Sequence, residues 1–416
     1  MPDTVAPPGR KPVPETLARR ARALTTDPDD PLHQGAYRSP LRDERLAAWL
    51  GASLGVLFSI CFVTGLYSHL HQHPLSWLPL PARPAGLYRV TQGLHVAAGI
   101  ASLPVLLAKL WVVWPRFVSW PPVKNVAHFV ERVGLFPLVA GGLFMVFSGI
   151  ADVAQWYPWR FGFPAAHYWV AWITVGALLA HLGAKWAIAR QALRRPSRRP
   201  ALVAADPVLG AVGEGPHAGL SRRGFLATVF GAAGVLTVTT VGQTLTPLQN
   251  LAVLAPRDPS AGPQGRPVNR SAANAGVLQT ATSSDYRLVV DGKVARPLSL
   301  DASELEALAL QDATLPIACV EGWSYSARWR GVRVRDLLAM AGAAPSAAAR
   351  VHSLEQGSIY GSSFLDRDQA HDRDTLLATH LDGARLDLDH GYPLRLIGPG
   401  RPGVNQTKWV TRLEVL

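Results

Sequence analysis

Five long apolar stretches dominate the N-terminal part of the chain. They cover residues 46–68, 88–114, 133–156, 165–190 and 224–247. Each is near or above the roughly 20 residues that a helix needs to cross a bilayer. The pattern therefore predicts five transmembrane helices, and the first four are expected to form one membrane domain over residues 46–190.

The alternation of polar and apolar positions changes towards the C-terminus. Runs of alternating polarity at 286–292 and 409–415 predict strands. Residues 301–310 and 335–341 predict helices, the first with Asp301 as its N-cap. Residues 283–416 are therefore expected to form a soluble α+β domain. The predicted fold class is an α-helical membrane bundle followed by this domain.

Three segments without apolar periodicity precede or connect these regions. Residues 1–45, rich in Pro, Arg and Asp, predict a disordered tail. Residues 191–223 predict a basic linker, and 248–282, rich in Pro, Gly, Ser and Asn, a second linker. The run Ser221–Leu226 has the form of a twin-arginine export motif. It is also an ordinary basic flank of a span, and the sequence leaves both interpretations open.

The basic residues lie beside the apolar stretches and indicate the topology. The net charge is +12, although only 17% of residues are charged. Lys and Arg cluster in 10–45, 116–132 and 185–223, and such segments stay in the cytoplasm. We therefore expect a multi-pass protein of the cell membrane with a cytoplasmic N-terminus and an extracytoplasmic C-terminal domain. Because topology accounts for the charge, we expect no nucleic-acid partner.

Histidines inside the apolar stretches predict a haem site. His167 and His181 lie on one helix face about 21 Å apart, and His95 lies in the second stretch. Polar residues at membrane depth usually have a function, and haem iron takes axial histidines. Since the second and fourth helices run in the same direction, His95 and His167 are expected to hold one haem b. Interhelical hydrogen bonds are the alternative.

A second haem has weaker support. At the inner level His181 is expected opposite Lys109, so another ligand such as His128 would be needed. The histidine spacing resembles that of di-haem membrane cytochromes b, including the cytochrome b561-like family, over residues 46–190. The group His69, His71 and His73 is expected in a solvated loop, with metal binding as the alternative.

The chain has two cysteines, Cys61 and Cys319, too far apart in the predicted topology to form a disulfide. Cys319 lies in the run IACVEGW, followed by WRGV at 329–332. HGYPLRL at 390–396 and NQTKW at 405–409 come later. Together, in this order, these motifs resemble the molybdopterin-binding domain of the sulfite oxidase family.

The resemblance implies that Cys319 gives its thiolate to molybdenum held by a molybdopterin. Soft thiolates suit such a metal, while a buried structural cysteine is the alternative. The implied pterin contacts are His390, Arg395, Gln406, Thr407 and Lys408, with weaker matches at Asn269 and Ser353. Arginine and lysine make charge-assisted bonds to phosphate. A nearby Gly-rich turn would present backbone amides to an anion.

The implied activity is oxygen-atom transfer at molybdenum, coupled to electron transfer through haem b. The domain is most similar to bacterial periplasmic enzymes that reduce protein-bound methionine sulfoxide with a membrane haem partner. We therefore expect an S-oxide or N-oxide substrate and electrons from quinol or a redox donor protein. The alternatives are a sulfite-oxidase-like oxidation that passes electrons to quinone, a haem-free membrane anchor, and a metal-free binding module.

Overall fold

The structure is a computed structural model that describes residues 39, 41–75, 77–117, 123, 126–194, 220–242, 246–258, 260–308, 310–358 and 360–416. The predicted tail over 1–45 and the predicted linker over 191–223 lie mostly outside these residues. The chain divides into two compact units. The first comprises Met1–Gly55, Leu103–Gly142 and Trp172–Gly231, and the second Val56–Ser102, Leu143–Ala171 and Ala232–Leu416.

Among the described residues, five helices are long and apolar enough to cross a membrane, which confirms the five predicted long apolar helices. They are α1 (Glu44–Gln72), α2 (Leu87–Phe117), α3 (Val126–Val153), α4 (Phe163–Arg194) and α5 (Arg222–Val241). The ends differ from the prediction by several residues because helices continue into polar sequence: α1 runs on past residue 68 through two histidines.

Polar side chains near helix ends are paired within the first unit. Lys109 Nζ of α2 donates to the carbonyl of Ala47 on α1 at 2.5 Å. Arg222, from the twin-arginine-like run, forms a 2.5 Å ion pair with Asp43. His181 also lies in this unit, on α4. The side chain of His128 falls outside the described part of the chain.

Short helices and strands follow α5 in the second unit. The strands are β1 (Leu288–Gly292), β2 (Leu298–Leu300), β3 (Gln311–Ala318), β4 (Ser324–Arg333), β5 (Ala349–Ser353), β6 (Ser362–Leu365), β7 (Leu376–Leu381), β8 (Ala384–Arg385), β9 (Arg395–Ile397) and β10 (Val410–Val415). The helices are α6 (Leu278–Ala281), α7 (Ala302–Ala307), α8 (Val334–Ala341) and α9 (Arg367–His371). The expected α+β domain is thus confirmed.

The strands of the described residues form two sheets. One has the order β2-β1-β10-β5-β6, and the other the order β3-β4-β7-β8, with β9 pairing to β7. β1 and β10 are parallel, and the remaining pairs are antiparallel. Helix α8 buries Leu337 and Leu338 in the core of the first sheet. Asp301 caps α7 in a capping box with Glu304, as predicted.

The segment 248–282 differs from the predicted linker because much of it is packed on the domain. Ala272, Val277 and Ala281 form a buried cluster with Trp409. Composition misled the prediction because Pro, Gly and Ser favour turns, and turns that follow a protein surface have the same composition as free connectors. The segment therefore brings side chains to the site described next.

Candidate functional site

Cys319 lies in a tight turn between β3 and β4. Its backbone N–H donates to the Trp323 carbonyl at 2.9 Å, and the Gly322 N–H donates to the Cys319 carbonyl at 3.2 Å. Gly322 has φ +90°, a conformation that favours glycine. The Cys319 side chain is buried, and Asn269 Nδ2 lies 4.0 Å from its Sγ. The turn therefore holds one thiol in a fixed position beside an amide.

The surroundings of Cys319 oppose the thiolate form. Burial raises the pKa of the thiol well above its ordinary value, and the negative charge of Glu321 raises it further. A bound metal cation has the opposite effect and deprotonates a coordinating thiol. The turn is thus suited to a thiolate only when a strong positive charge is placed on Sγ.

Glu321 fixes this turn from three directions. Its Oε2 accepts from Arg257 Nε and from Trp323 Nε1, both at 2.8 Å. Its Oε1 accepts from Gln155 Nε2, just beyond α3. The carboxylate is nearly fully buried, and buried charges are tolerated when they are paired and hydrogen-bonded.

A pocket of about 360 Å³ lies beside Asn269. Its lining comprises Asn269, Arg270, Glu355, Tyr360, Arg395, Gly403, Val404, Gln406, Thr407, Lys408 and Trp409. Asn269 and the motif residues from 395 to 408 come from distant parts of the sequence. The structure therefore brings most of the predicted pterin-contacting residues into one cavity and joins them to Cys319 through Asn269.

Positive charge exceeds negative charge in this pocket. Arg270 is paired with Glu355 at 2.7 Å, but Arg395 Nε is buried without a hydrogen-bond partner in the described residues. Lys408 Nζ donates to the carbonyls of Asp389, at 2.9 Å, and Arg270. Burial and then the charge of Arg395 lower the pKa of Lys408 to about 7. An anion in the pocket would give Arg395 Nε an acceptor and would stabilise the charged form of Lys408. The residues therefore fit a phosphate-bearing ligand.

Two of the predicted pterin contacts, His390 and Ser353, lie outside the pocket lining and bind backbone carbonyls. The His390 ring donates from Nε2 to the Pro263 carbonyl at 2.8 Å, and burial lowers its pKa to about 4. Ser353 Oγ donates to the Lys408 carbonyl at 2.7 Å. Neither residue is part of the pocket lining. Their role as direct pterin ligands stays a prediction, and in this structure they hold neighbouring backbone.

Two amides of the Gly-rich turn after β9 are hydrogen-bonded within the protein, and the predicted role of this turn in anion binding stays a prediction. The Gly398 N–H donates to Gln406 Oε1 at 2.9 Å, and the Gly400 N–H donates to the Ala85 carbonyl at 3.1 Å. Because both amides are already used, they are not directed at a ligand. Gln406 thus shapes the turn, while the Thr407 hydroxyl is hydrogen-bonded to Ser363 at 2.6 Å.

A second arrangement concerns the histidines of α2 and α4. The ring centroids of His95 and His167 lie 6.3 Å apart. Two imidazoles bound to one metal ion through bonds of about 2 Å have their centroids roughly 6 Å apart. His95 Nδ1 donates to the Cys61 carbonyl at 2.9 Å, and His167 Nδ1 is bonded to Ser148 at 3.0 Å. Such partners orient a metal-binding imidazole, so the pair fits axial ligation of one haem.

The histidines after residue 68 differ from the predicted solvated loop. His69 and His71 lie in the last turn of α1, where His69 stacks on Tyr168 with centroids 3.8 Å apart, and only the exposed His73 follows the helix. His71 is buried against Tyr67 and Tyr88. Among the described residues, no group of three or more His, Cys, Asp or Glu side chains is arranged to hold a metal ion. The aromatic contacts account for this cluster.

Comparison with known proteins identifies the C-terminal domain. Residues 275–416 match the oxidoreductase molybdopterin binding domain. Sulfite oxidase of Gallus gallus is 31% identical over 160 residues, which cover 32% of this chain and 35% of that protein. Nitrate reductase [NAD(P)H] of Hordeum vulgare is 31% identical over 173 residues, 34% of this chain and 19% of that protein. The chain thus spans about a third or less of these relatives.

A similar solved structure is that of the sulfane dehydrogenase SoxCD from Paracoccus pantotrophus. It is 26% identical, with a TM-score of 0.30, over 32% of this chain and 38% of that one. Residues 275–416 therefore match a molybdopterin-binding oxidoreductase domain, and this part of the chain is similar to sulfite oxidase.

Sequence reasoning missed several residues of the site. Two residues that bind Glu321 are isolated polar residues in sequence: Gln155 at the end of the third apolar stretch and Arg257 beyond the fifth. Arg270 and Glu355 are distant from one another in sequence and pair only in the fold. The one available signal was the run Asn269–Arg270, where a predicted contact is followed by a cation.

Proposed function

Because this chain carries a molybdopterin-binding oxidoreductase domain of the sulfite oxidase type, we propose that it is a membrane-bound molybdopterin-dependent oxidoreductase. In it, oxygen-atom transfer in the C-terminal domain is coupled to electron transfer through haem b. When bound, the molybdenum cofactor supplies two-electron oxygen-atom transfer and the haem supplies one-electron transfer. The observation that carries the proposal is the buried thiol of Cys319 beside a pocket with unneutralised Arg395 and Lys408.

The chain's own residues would hold the molybdenum cofactor at its two ends. Cys319 would ligate the metal, with Asn269 at 4.0 Å from its sulfur. Arg395 and Lys408 would bind the phosphate with charge-assisted hydrogen bonds. Arg270, held by Glu355, would orient the polar edge of the pterin. The pocket would exclude water from these contacts, since Arg395 and Gln406 are buried.

His95 and His167 would ligate the haem. Their Nδ1 atoms bind Cys61 and Ser148, and this leaves each Nε2 as the ligating atom. Gly65 makes room beside one ring, since a β-carbon at this position would lie 3.0 Å from His95 Cε1. A second haem at His181 has no comparable support, since Lys109 binds a backbone carbonyl.

We propose that the physiological reaction is reduction of an S-oxide or N-oxide on the extracytoplasmic side, with quinol or a redox protein as donor. Similarity to sulfite oxidase favours the opposite direction as the second candidate, in which sulfite is oxidised and quinone accepts the electrons. Both need the same metal ligand and the same histidines. They differ only in which substrate exchanges electrons with the haem.

One experiment tests the function and its direction. Purified chain should contain molybdenum and b-type haem, and its dithionite-reduced haem should be reoxidised by methionine sulfoxide but not by sulfate. Haem that is reduced by sulfite and unaffected by every S-oxide and N-oxide would reverse the direction. Replacement of His95 or His167 by Ala should abolish the b-type absorption, whereas an unchanged spectrum would show that other residues hold the haem. A parent protein without b-type absorption would show that the apolar helices are a haem-free anchor.

A further inference from the structure

The Cys319 turn touches α2 at the helical turn that carries His95. Gln92, a buried residue, donates from Nε2 to the Val320 carbonyl at 3.3 Å. One turn further along α2, Val96 lies against Gly322: a β-carbon built on this glycine would be 3.1 Å from Val96 Cγ1. Residues four apart share a helix face, so both contacts come from one face of α2. Val96 is also the direct chain neighbour of His95.

This close approach requires the glycine in the turn. Gly322 has φ +90°, and the same β-carbon would also lie 3.6 Å from Val241 Cγ1 at the end of α5. Val96 itself is buried in an apolar cluster with Ile100 and Val153 of α3. The turn therefore packs against apolar residues of three helices, and a β-carbon at position 322 would require Val96 to shift by a few tenths of an ångström.

We propose that this contact, with Val96 against Gly322 and Gln92 bound to Val320, is the junction through which electrons pass between a haem at His95 and a metal at Cys319. The inference rests on the function proposed above. The route follows the peptide bond from His95 to Val96 and then the close approach of the Val96 side chain to Gly322. It continues through the 3.2 Å hydrogen bond from the Gly322 N–H to the Cys319 carbonyl. Gln92 and Val96 are positioning residues that keep this route short.

The number of electrons that cross the junction in each turnover is the same in either direction of reaction. Reduction of an S-oxide consumes two electrons and two protons, breaks the sulfur–oxygen bond, and releases one thioether and one water molecule. A haem carries one electron at a time, so the contact is crossed twice in each turnover. In sulfite oxidation the same number of electrons crosses the opposite way. Variants of the junction should therefore slow either reaction.

The test uses the purified full chain with both cofactors bound. Its haem is reduced with limiting dithionite and mixed with methionine sulfoxide in a stopped-flow instrument, and haem absorbance reports internal electron transfer. The variants are Val96→Ala, which opens a gap at Gly322, and Gln92→Met, which keeps the length of the side chain but removes the donor. The matched control is Val90→Ala, the same substitution on α2 at a position that is 56% exposed.

Both junction variants should reoxidise the haem severalfold more slowly than the parent, because each removes a contact between α2 and the Cys319 turn. The control should match the parent. Reduced methyl viologen, which donates to the domain from solution, should drive S-oxide reduction at the parent rate in every variant. Haem absorption and midpoint potential should also be unchanged. A merely structural role would instead lower viologen-driven activity or cofactor content.

Three outcomes would separate failure of the junction from failure of the function. If both variants transfer electrons at the parent rate in the direction in which the parent works, the junction is overturned. If the parent haem responds only to sulfite, the proposed direction of the reaction is wrong. In that case, slower sulfite-driven haem reduction in the variants would support the junction. If the parent binds no haem, both proposals fail. In cofactor-free protein, faster amide exchange of residues 319–323 in Gln92→Met than in Val90→Ala would support the contact independently of activity, and equal exchange would count against it.

Discussion

Replacing Arg257 by Ala should destabilise the protein because it leaves the buried carboxylate of Glu321 without its cation. Arg257 contacts Glu321 through Nε at 2.8 Å, the Val268 carbonyl through Nη1 at 2.9 Å, and Gln155. Breaking a fully buried pair costs about 3–5 kcal/mol. Here the arginine side chain is 23% exposed, and Glu321 keeps Trp323 and Gln155 as donors. We therefore expect a loss of about 2–3 kcal/mol.

If the C-terminal domain unfolds as its own transition, that loss corresponds to a fall of roughly 4–12 °C in the midpoint of this transition, which calorimetry of the purified chain would measure. The matched control is Arg328→Ala, because the Arg328–Asp312 pair is 67% and 42% exposed. Such surface pairs contribute less than about 1 kcal/mol. Adding Glu321→Gln to the Arg257 variant should recover part of the stability, since no unpaired charge then remains buried. Equal losses in Arg257→Ala and Arg328→Ala would refute the reasoning.

Three further predictions concern the pocket and the sheet domain. Sulfate, whose charge does not vary with pH in this range, should bind cofactor-free protein up to about tenfold more weakly per pH unit above about pH 7, because Lys408 has its pKa near 7 and loses its charge there. Calorimetric titration should show that Lys408→Met removes this pH dependence. An unchanged slope in Lys408→Met would contradict the prediction. Leu338→Ala should cost about 2–5 kcal/mol of unfolding free energy because Leu338 is 1% exposed, whereas Met340→Ala on the same helix should cost much less. Asp301→Ala should cost about 0.5–2 kcal/mol through loss of the capping box of α7, and a thermal midpoint equal to that of the parent would argue against a stabilising cap.

The parts of the fold that the sequence predicted depend on local patterns. Long apolar stretches predict membrane helices because a helix satisfies the backbone hydrogen bonds of one segment within that segment, as lipid requires. Alternation predicted β1 and β10, and the acidic residue before α7 predicted its cap. Local patterns could not predict the pairing of β1 with β10, since it joins the first strand of the domain to its last. Helix ends were also less accurate, because α1 continues through His69 and His71 once tyrosine rings pack against them.

The site was predictable where a motif carried it. Cys319, Arg395 and Lys408 belong to recognisable runs, and the structure groups the latter two in one pocket. A motif does not specify whether a side chain points into the pocket or holds neighbouring backbone, as His390 and Ser353 do. Contacts such as those of Arg257 and Gln92 with the Cys319 turn depend on three-dimensional packing and leave no periodic signal.

The central claim is that Cys319 ligates molybdenum. X-ray absorption at the molybdenum edge of the purified chain would test it most directly, by comparing the parent with Cys319→Ser and with Cys61→Ser as the matched control. The account predicts that Cys319→Ser loses one sulfur neighbour of the metal while the control keeps the parent spectrum. An identical sulfur count in the parent and in Cys319→Ser would contradict the account.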